Sequence, residues 1–135
     1  MTIAEIGEKS NLSPDTLRYY ERIGLIPPIL RTKGGIRDYN EEDYQWIDFI
    51  KCMRSAGIPV EVLIEYVSLF QHGKDSRETR IKILTEQRNI LAVKISEMQQ
   101  TLERLDFKIA NYDELVFEAE KKLSRQRYKE IMETQ

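Results

Sequence analysis

Between Ser13 and Tyr39 this 135-residue sequence gathers side chains that suit a polyanion. Arg18, Tyr19, Tyr20 and Arg22 fall within five residues, and Arg31, Lys33 and Arg37 follow around the Gly34-Gly35 pair. Guanidinium and ammonium groups hold phosphates, and guanidinium forks and phenols also reach base edges. Over residues 18–37 five cations stand against one acid, Glu21. The formal net charge of the whole chain is −2, so the basic character is a local surface on a mildly acidic protein, and recognition follows the distribution of charge rather than its total. Acids gather just beyond, at Glu41, Glu42, Asp43 and Asp48.

Other chemistry finds little support. One histidine, His72, and one cysteine, Cys52, cannot close a soft-metal site. There is no glycine-rich phosphate loop and no pair of catalytic groups, and the acids fall in solvated helical runs. Neither an enzyme nor a metal nor a cofactor is expected. No apolar run reaches the roughly 20 residues of a membrane span, and no secretory leader pattern is visible. A lone cysteine fits a reducing compartment, so a cytoplasmic location is expected.

The elements that would position the basic residues are short. Thr2 with Glu5 forms a capping box for a first helix. Ser13 caps a second, Pro14 suits its first position, and Gly24 supplies a left-handed stop. That second helix runs about ten residues, roughly 15 Å, enough to lie in a major groove. Two short helices joined by about four residues outline a helix-turn-helix, although many packing hairpins look alike. Pro27-Pro28 then forces extended chain. Residues 30–32 and 36–39 can pair around Lys33-Gly34-Gly35 as a wing, whose strands are too short to stand alone. Asn40 with Asp43 caps a third helix that Gly57 ends, and Pro59 opens a fourth that closes at His72-Gly73. Their aromatic residues are expected in the core, with Trp46 near its edge. A core of about 70 residues is marginal without support.

No glycine or proline follows Gly73. Apolar residues instead alternate at spacings of three and four. One series is Ile81, Arg88, Ile95, Leu102, Ile109, Val116, Leu123, and the other Leu84, Leu91, Met98, Leu105, Tyr112, Ala119. Twelve of the thirteen are apolar or aromatic, and a period of 3.5 held over about six heptads marks a coiled coil. One helix from Ser76 to about Leu123, roughly 70 Å long, is expected to bury Leu84, Leu91, Ile95, Met98, Leu102, Leu105 and Ile109 against a second chain. The alternative is a helix that bends back on itself near Asn111. The stripe leaves parallel and antiparallel pairing open. The expected organisation is a winged helix-turn-helix head over residues 1–72, a dimerisation helix over 75–124 and a polar, frayed tail over 125–135.

Taken in order, Leu17-Arg18-Tyr19-Tyr20-Glu21, Gly24-Leu25-Ile26, Gly35-Ile36-Arg37-Asp38-Tyr39 and the long terminal helix closely resemble the mercury-resistance-regulator (MerR) family of bacterial transcription factors. The resemblance covers Thr2 to about Phe70 and, in architecture, the coil. It implies a mainly α fold with a winged helix-turn-helix head and an antiparallel coiled-coil homodimer. It also implies that the dimer bends and untwists double-stranded promoter DNA with an overlong spacer, bringing the promoter elements into register for RNA polymerase. Residue by residue it implies Arg18, Tyr19 and Tyr20 at the DNA, Arg37 and Tyr39 in the wing with Arg31 beside them, and Thr16 at a helix start that reaches a phosphate. Tyr20 and Tyr39 can equally be packed inward.

Metal-sensing relatives place cysteines near the far end of the dimerisation helix and in a short loop after it, where this sequence has none, and drug-sensing relatives append a large ligand domain, which is not expected here. The chain also resembles the aldehyde- and electrophile-responsive branch, whose members are short and carry one cysteine in the region of Cys52. Thiolate is the reactive form, and Lys51 or Arg54 could favour it. The competing expectations are a small core cysteine in a regulator governed by abundance or another ligand, and a coiled-coil scaffold whose head binds protein.

Overall fold

The computed structural model describes residues 1–134, with the backbone alone for residues 115–117. It divides into two units, Met1–Leu91 and Ala92–Gln135. The first holds α1 (Ile3–Ser10), α2 (Pro14–Ile23), α3 (Glu41–Ser55), α4 (Val60–His72) and the start of α5 (Arg77–Ala110).

Local chemistry sets the helix ends. The Thr2 hydroxyl accepts from Glu5 N–H at 3.1 Å and the Glu5 carboxylate accepts from Thr2 N–H, while Asn40 and Asp43 make the same reciprocal pair at 2.9 Å each. Both are capping boxes, each satisfying two orphaned donors. The Ser13 hydroxyl accepts from Thr16 N–H at 3.1 Å, with Pro14 at the first helical position. Gly24 turns the chain out of α2 at φ +85°, a conformation that costs glycine least.

Between α2 and α3 the wing is smaller than a two-stranded sheet. Pairing is reduced to one antiparallel bridge between Arg31 and Arg37, flanked by Thr32 N–H to Ile36 C=O at 2.7 Å and Asp38 N–H to Leu30 C=O at 2.8 Å. Pro27-Pro28 on one side and the α3 cap on the other leave too few residues for longer strands. At the tip Gly35 has φ +81° and donates its N–H to Thr32 C=O at 2.9 Å, closing a three-residue loop.

The core of this unit is built from Ile6, Leu17, Leu25, Ile26, Ile47, Ile50, Leu63 and Val67, all essentially buried. The aromatic residues of α3 and α4 sit at its margin rather than inside it. Trp46, Phe49 and Tyr66 are half-buried and Phe70 is exposed. At the start of α5 the buried Ser76 hydroxyl donates to Leu69 C=O at 2.8 Å and accepts from Arg80 Nε at 3.0 Å. The Arg80 guanidinium lies over the Phe70 ring at 5.5 Å.

The long helix does not run unbroken to Leu123. α5 ends at Ala110, Tyr112–Val116 form a π-helical turn, and α6 (Phe117–Glu133) follows. Asn111 marks the break: its side-chain amide and its backbone N–H both donate to Phe107 C=O, at 2.9 and 3.1 Å. Glu120 accepts from the Tyr112 hydroxyl at 3.1 Å and pairs with Lys108 at 3.5 Å. Helix continues to Glu133, through most of the stretch expected to fray. Along the apolar stripe Leu84 and Leu91 are half-buried, whereas Ile95, Met98, Leu102, Leu105 and Ile109 are 51 to 71% exposed. Val116, a further position of that stripe, lies outside the described side chains. No helix among the described residues is long and apolar enough to cross a membrane.

Candidate nucleic-acid interface

Helical arithmetic sorts the residues of α2. Asp15, Arg18, Tyr19 and Arg22 recur at i, i+3, i+4 and i+7 and share one face; all four are exposed. Leu17 and Tyr20 point the other way and are buried. Arg18 Nη1 rests on the Asp15 carboxylate at 3.0 Å, with side chains 47% and 96% exposed. A pair this exposed stabilises by about 0.2–1 kcal/mol, so a phosphate can draw Arg18 away at little cost. Arg22 lies over the Tyr19 ring, 5.5 Å from its centre. Thr16 is half-buried, its hydroxyl 2.9 Å from that of Ser13.

One carboxylate joins the wing to α2. Glu21 accepts from Ile29 N–H at 3.0 Å on one oxygen and from Arg37 Nε at 2.7 Å on the other. The two side chains are 15% and 24% exposed, and the hydrogen bond to Glu21 raises the pKa of Arg37 above its ordinary value. Glu21 therefore ties α2 to both ends of the wing, and leaves the outer nitrogens of Arg37 to face elsewhere. Arg31 Nη1 donates to Gly35 C=O at 2.8 Å, bracing the tip on which Lys33 stands exposed. Sequence reasoning missed this role for Glu21. Its one signal was standing alone among five cations.

Two expected contacts move inward. Tyr39 is 1% exposed and Tyr20 8% exposed, so their rings belong to the core and a duplex cannot meet them as they stand. Burial is the first cause that pushes both phenols up in pKa. The Tyr39 backbone N–H donates to Met1 C=O at 2.8 Å, but its hydroxyl has no hydrogen-bond partner among the described residues. The remaining expected contacts, Thr16, Arg18, Tyr19, Arg22, Arg31, Lys33 and Arg37, lie on α2 or the wing of one unit.

Cys52 is exposed on α3 and so is not the core residue a lone helical cysteine often is. The neighbouring cations are bound elsewhere. Lys51 Nζ donates to Ser10 C=O at 2.7 Å and Arg54 Nη1 to Ile58 C=O at 3.2 Å. Neither head group is held for the thiol. Among the described residues no three His, Cys, Asp or Glu side chains converge to hold a metal ion.

A family model described as MerR HTH family regulatory protein matches residues 1–69, and one described as MerR, DNA binding matches residues 44–107. The HTH-type transcriptional regulator AdhR of Bacillus subtilis is 54% identical over 91 residues, which are 67% of this chain and 65% of AdhR. The match thus spans less than two thirds of that relative. A MerR family transcriptional regulator of Listeria monocytogenes superposes with a TM-score of 0.82 at 46% identity, covering 96% of this chain and 98% of the other. HiNmlR, described as a MerR family regulator lacking the sensor domain and bound to promoter DNA, superposes with a TM-score of 0.75 at 28% identity, covering 83% and 89%.

Proposed function

This chain belongs to the MerR family of DNA-binding transcriptional regulators, and we propose that it acts on promoter DNA as an antiparallel coiled-coil homodimer. The observation that carries the proposal is the α2 face of Arg18, Tyr19 and Arg22 beside a wing pinned by Glu21. In each protomer α2 enters the major groove while Arg31, Lys33 and Arg37 hold the flanking backbone. The exposed stripe from Ile95 to Ile109 is the seam that joins the protomers. Two heads on one dimer bend and untwist the spacer between promoter elements, which RNA polymerase then reads in register. The work takes place in the cytoplasm, where the DNA is.

The signal is an aldehyde or related electrophile acting at the exposed Cys52. The thiolate sulfur attacks the carbonyl carbon, a C–S bond forms, and the carbonyl electron pair moves to oxygen, which takes up a proton. The adduct shifts the balance between two DNA-bound shapes. The positions of Lys51 and Arg54 favour a second reading, a regulator without a thiol sensor, since neither cation is aimed at the sulfur. One experiment separates them: transcription from a bound promoter with and without aldehyde, with mass spectrometry of Cys52. Loss of the response in Cys52→Ser, with operator binding kept, supports the sensor; a normal response in that variant removes it.

A further inference from the structure

Asp15 is the one acid on the α2 face that carries Arg18, Tyr19 and Arg22, and its side chain is 96% exposed. A carboxylate on a surface that meets a polyanion weakens attraction to every duplex alike. Its bond to Arg18 uses Oδ1, and Oδ2 accepts from no group among the described residues. The pair is exposed, so it opens readily and either group can turn to another partner. Asp15 is also the second residue of the helix, after Pro14. A helix lying in the major groove meets base edges with its N-terminal residues.

We infer that Asp15 determines specificity by accepting a hydrogen bond from the N4 amine of a cytosine. The inference rests on the docking of α2 in the major groove proposed above. The base edges there leave a carboxylate few choices. When ionised it only accepts. Guanine and thymine present acceptors or a methyl group, so neither can pair with it. Adenine offers its N6 amine but sets the acceptor N7 beside it, against the second carboxylate oxygen. Cytosine offers its N4 amine with no acceptor next to it on the same base. Arg18, one turn along the same face, suits a guanine. The carboxylate thus weakens binding to sequences at large and is compensated only where a cytosine stands.

Full-length wild type, offered a library of random duplexes, should enrich a site with cytosine at one fixed position of each half. Any other base there should weaken binding about tenfold in fluorescence anisotropy. Asp15→Asn should move that preference to adenine, because a side-chain amide pairs with N6 and N7 together. Asp15→Ala should accept all four bases alike there, and should bind a scrambled duplex at least as tightly as the wild type does. A carboxylate that only supports the helix start or braces Arg18 would alter affinity without creating a preference for adenine. Variants that enrich the wild-type base at every position overturn this inference alone. So does an asparagine variant that loosens the site without favouring adenine. A wild type that enriches no sequence overturns the major-groove docking and this inference together.

Discussion

Glu21→Gln removes one charge, keeps the shape of the side chain and acts on the joint between helix and wing. Glu21 holds two bonds, from Ile29 N–H at 3.0 Å and Arg37 Nε at 2.7 Å, in a place where both side chains are mostly covered. The glutamine amide offers one acceptor oxygen and an NH2 group that cannot accept, so one of the two donors is left unpaired in this mostly covered site, a loss of about 1–3 kcal/mol. For a head of this size each kcal/mol shifts Tm by about 4–8 °C, so thermal unfolding followed by circular dichroism should move down by about 4–24 °C. Binding supplies the sharper test. Removing an anion from a basic surface should strengthen attraction to any duplex if charge alone matters. If Glu21 positions the wing, specific affinity falls while non-specific affinity holds or rises. A positional loss of about 1.4 kcal/mol narrows the ratio of the two roughly tenfold. Fluorescence anisotropy on operator and scrambled duplexes, across a salt series, measures both. An unchanged Tm together with a tighter operator complex would refute the assignment of Glu21 as the joint.

Other substitutions address the rest of the molecule. Tyr39→Phe deletes a buried hydroxyl without a partner and should stabilise the head by about 1–3 kcal/mol in chemical denaturation, with operator binding kept. The raised Tyr39 pKa makes its contribution to stability full below the ordinary phenol value of 10.0 and lost as the pH rises through the higher folded value, so the phenylalanine variant should resist alkaline unfolding better than the wild type. Lys33→Ala, which removes one exposed cation per protomer, should reduce the salt slope of binding by about 2 in a dimer, while Arg18→Ala should cost about 1–3 kcal/mol on operator and less on scrambled DNA. Leu102→Asp puts a charge into the proposed seam, and sedimentation at micromolar concentration should show monomer.

What could be read in the sequence was what neighbours in the chain decide. The capping pairs Thr2–Glu5 and Asn40–Asp43, the Ser13 cap, the Gly24 stop and the Gly35 tip all appear where their types and spacings place them, because each depends on residues three or four apart. The burial of Tyr20 was within reach too, since it stands three residues after Leu17 on a ten-residue helix. The resemblance of the Arg-Tyr-Tyr run placed Tyr20 at the DNA, and the period placed it inward; the period prevails. Glu21 was beyond local reasoning, because its partners lie 8 and 16 residues away and become neighbours only when the wing folds back. A bend near Asn111 was legible only as the alternative to an unbroken helix. Asn111 is a weak helix former but no stop signal, and an apolar period of 3.5 continues across a π turn almost unchanged. Burial of Tyr39 depends on how the wing returns to the start of the chain, which no periodicity encodes.

The attachment of the wing through Glu21 has an evolutionary corollary. The pin is a carboxylate on α2 and the inner nitrogen of a single arginine, and it asks nothing of the loop tip. Lys33 and Gly34 can therefore be replaced, or the loop lengthened, while the angle between the wing and α2 is preserved. Regulators for promoters of differing backbone shape can in this way be derived from one head by editing a few surface codons.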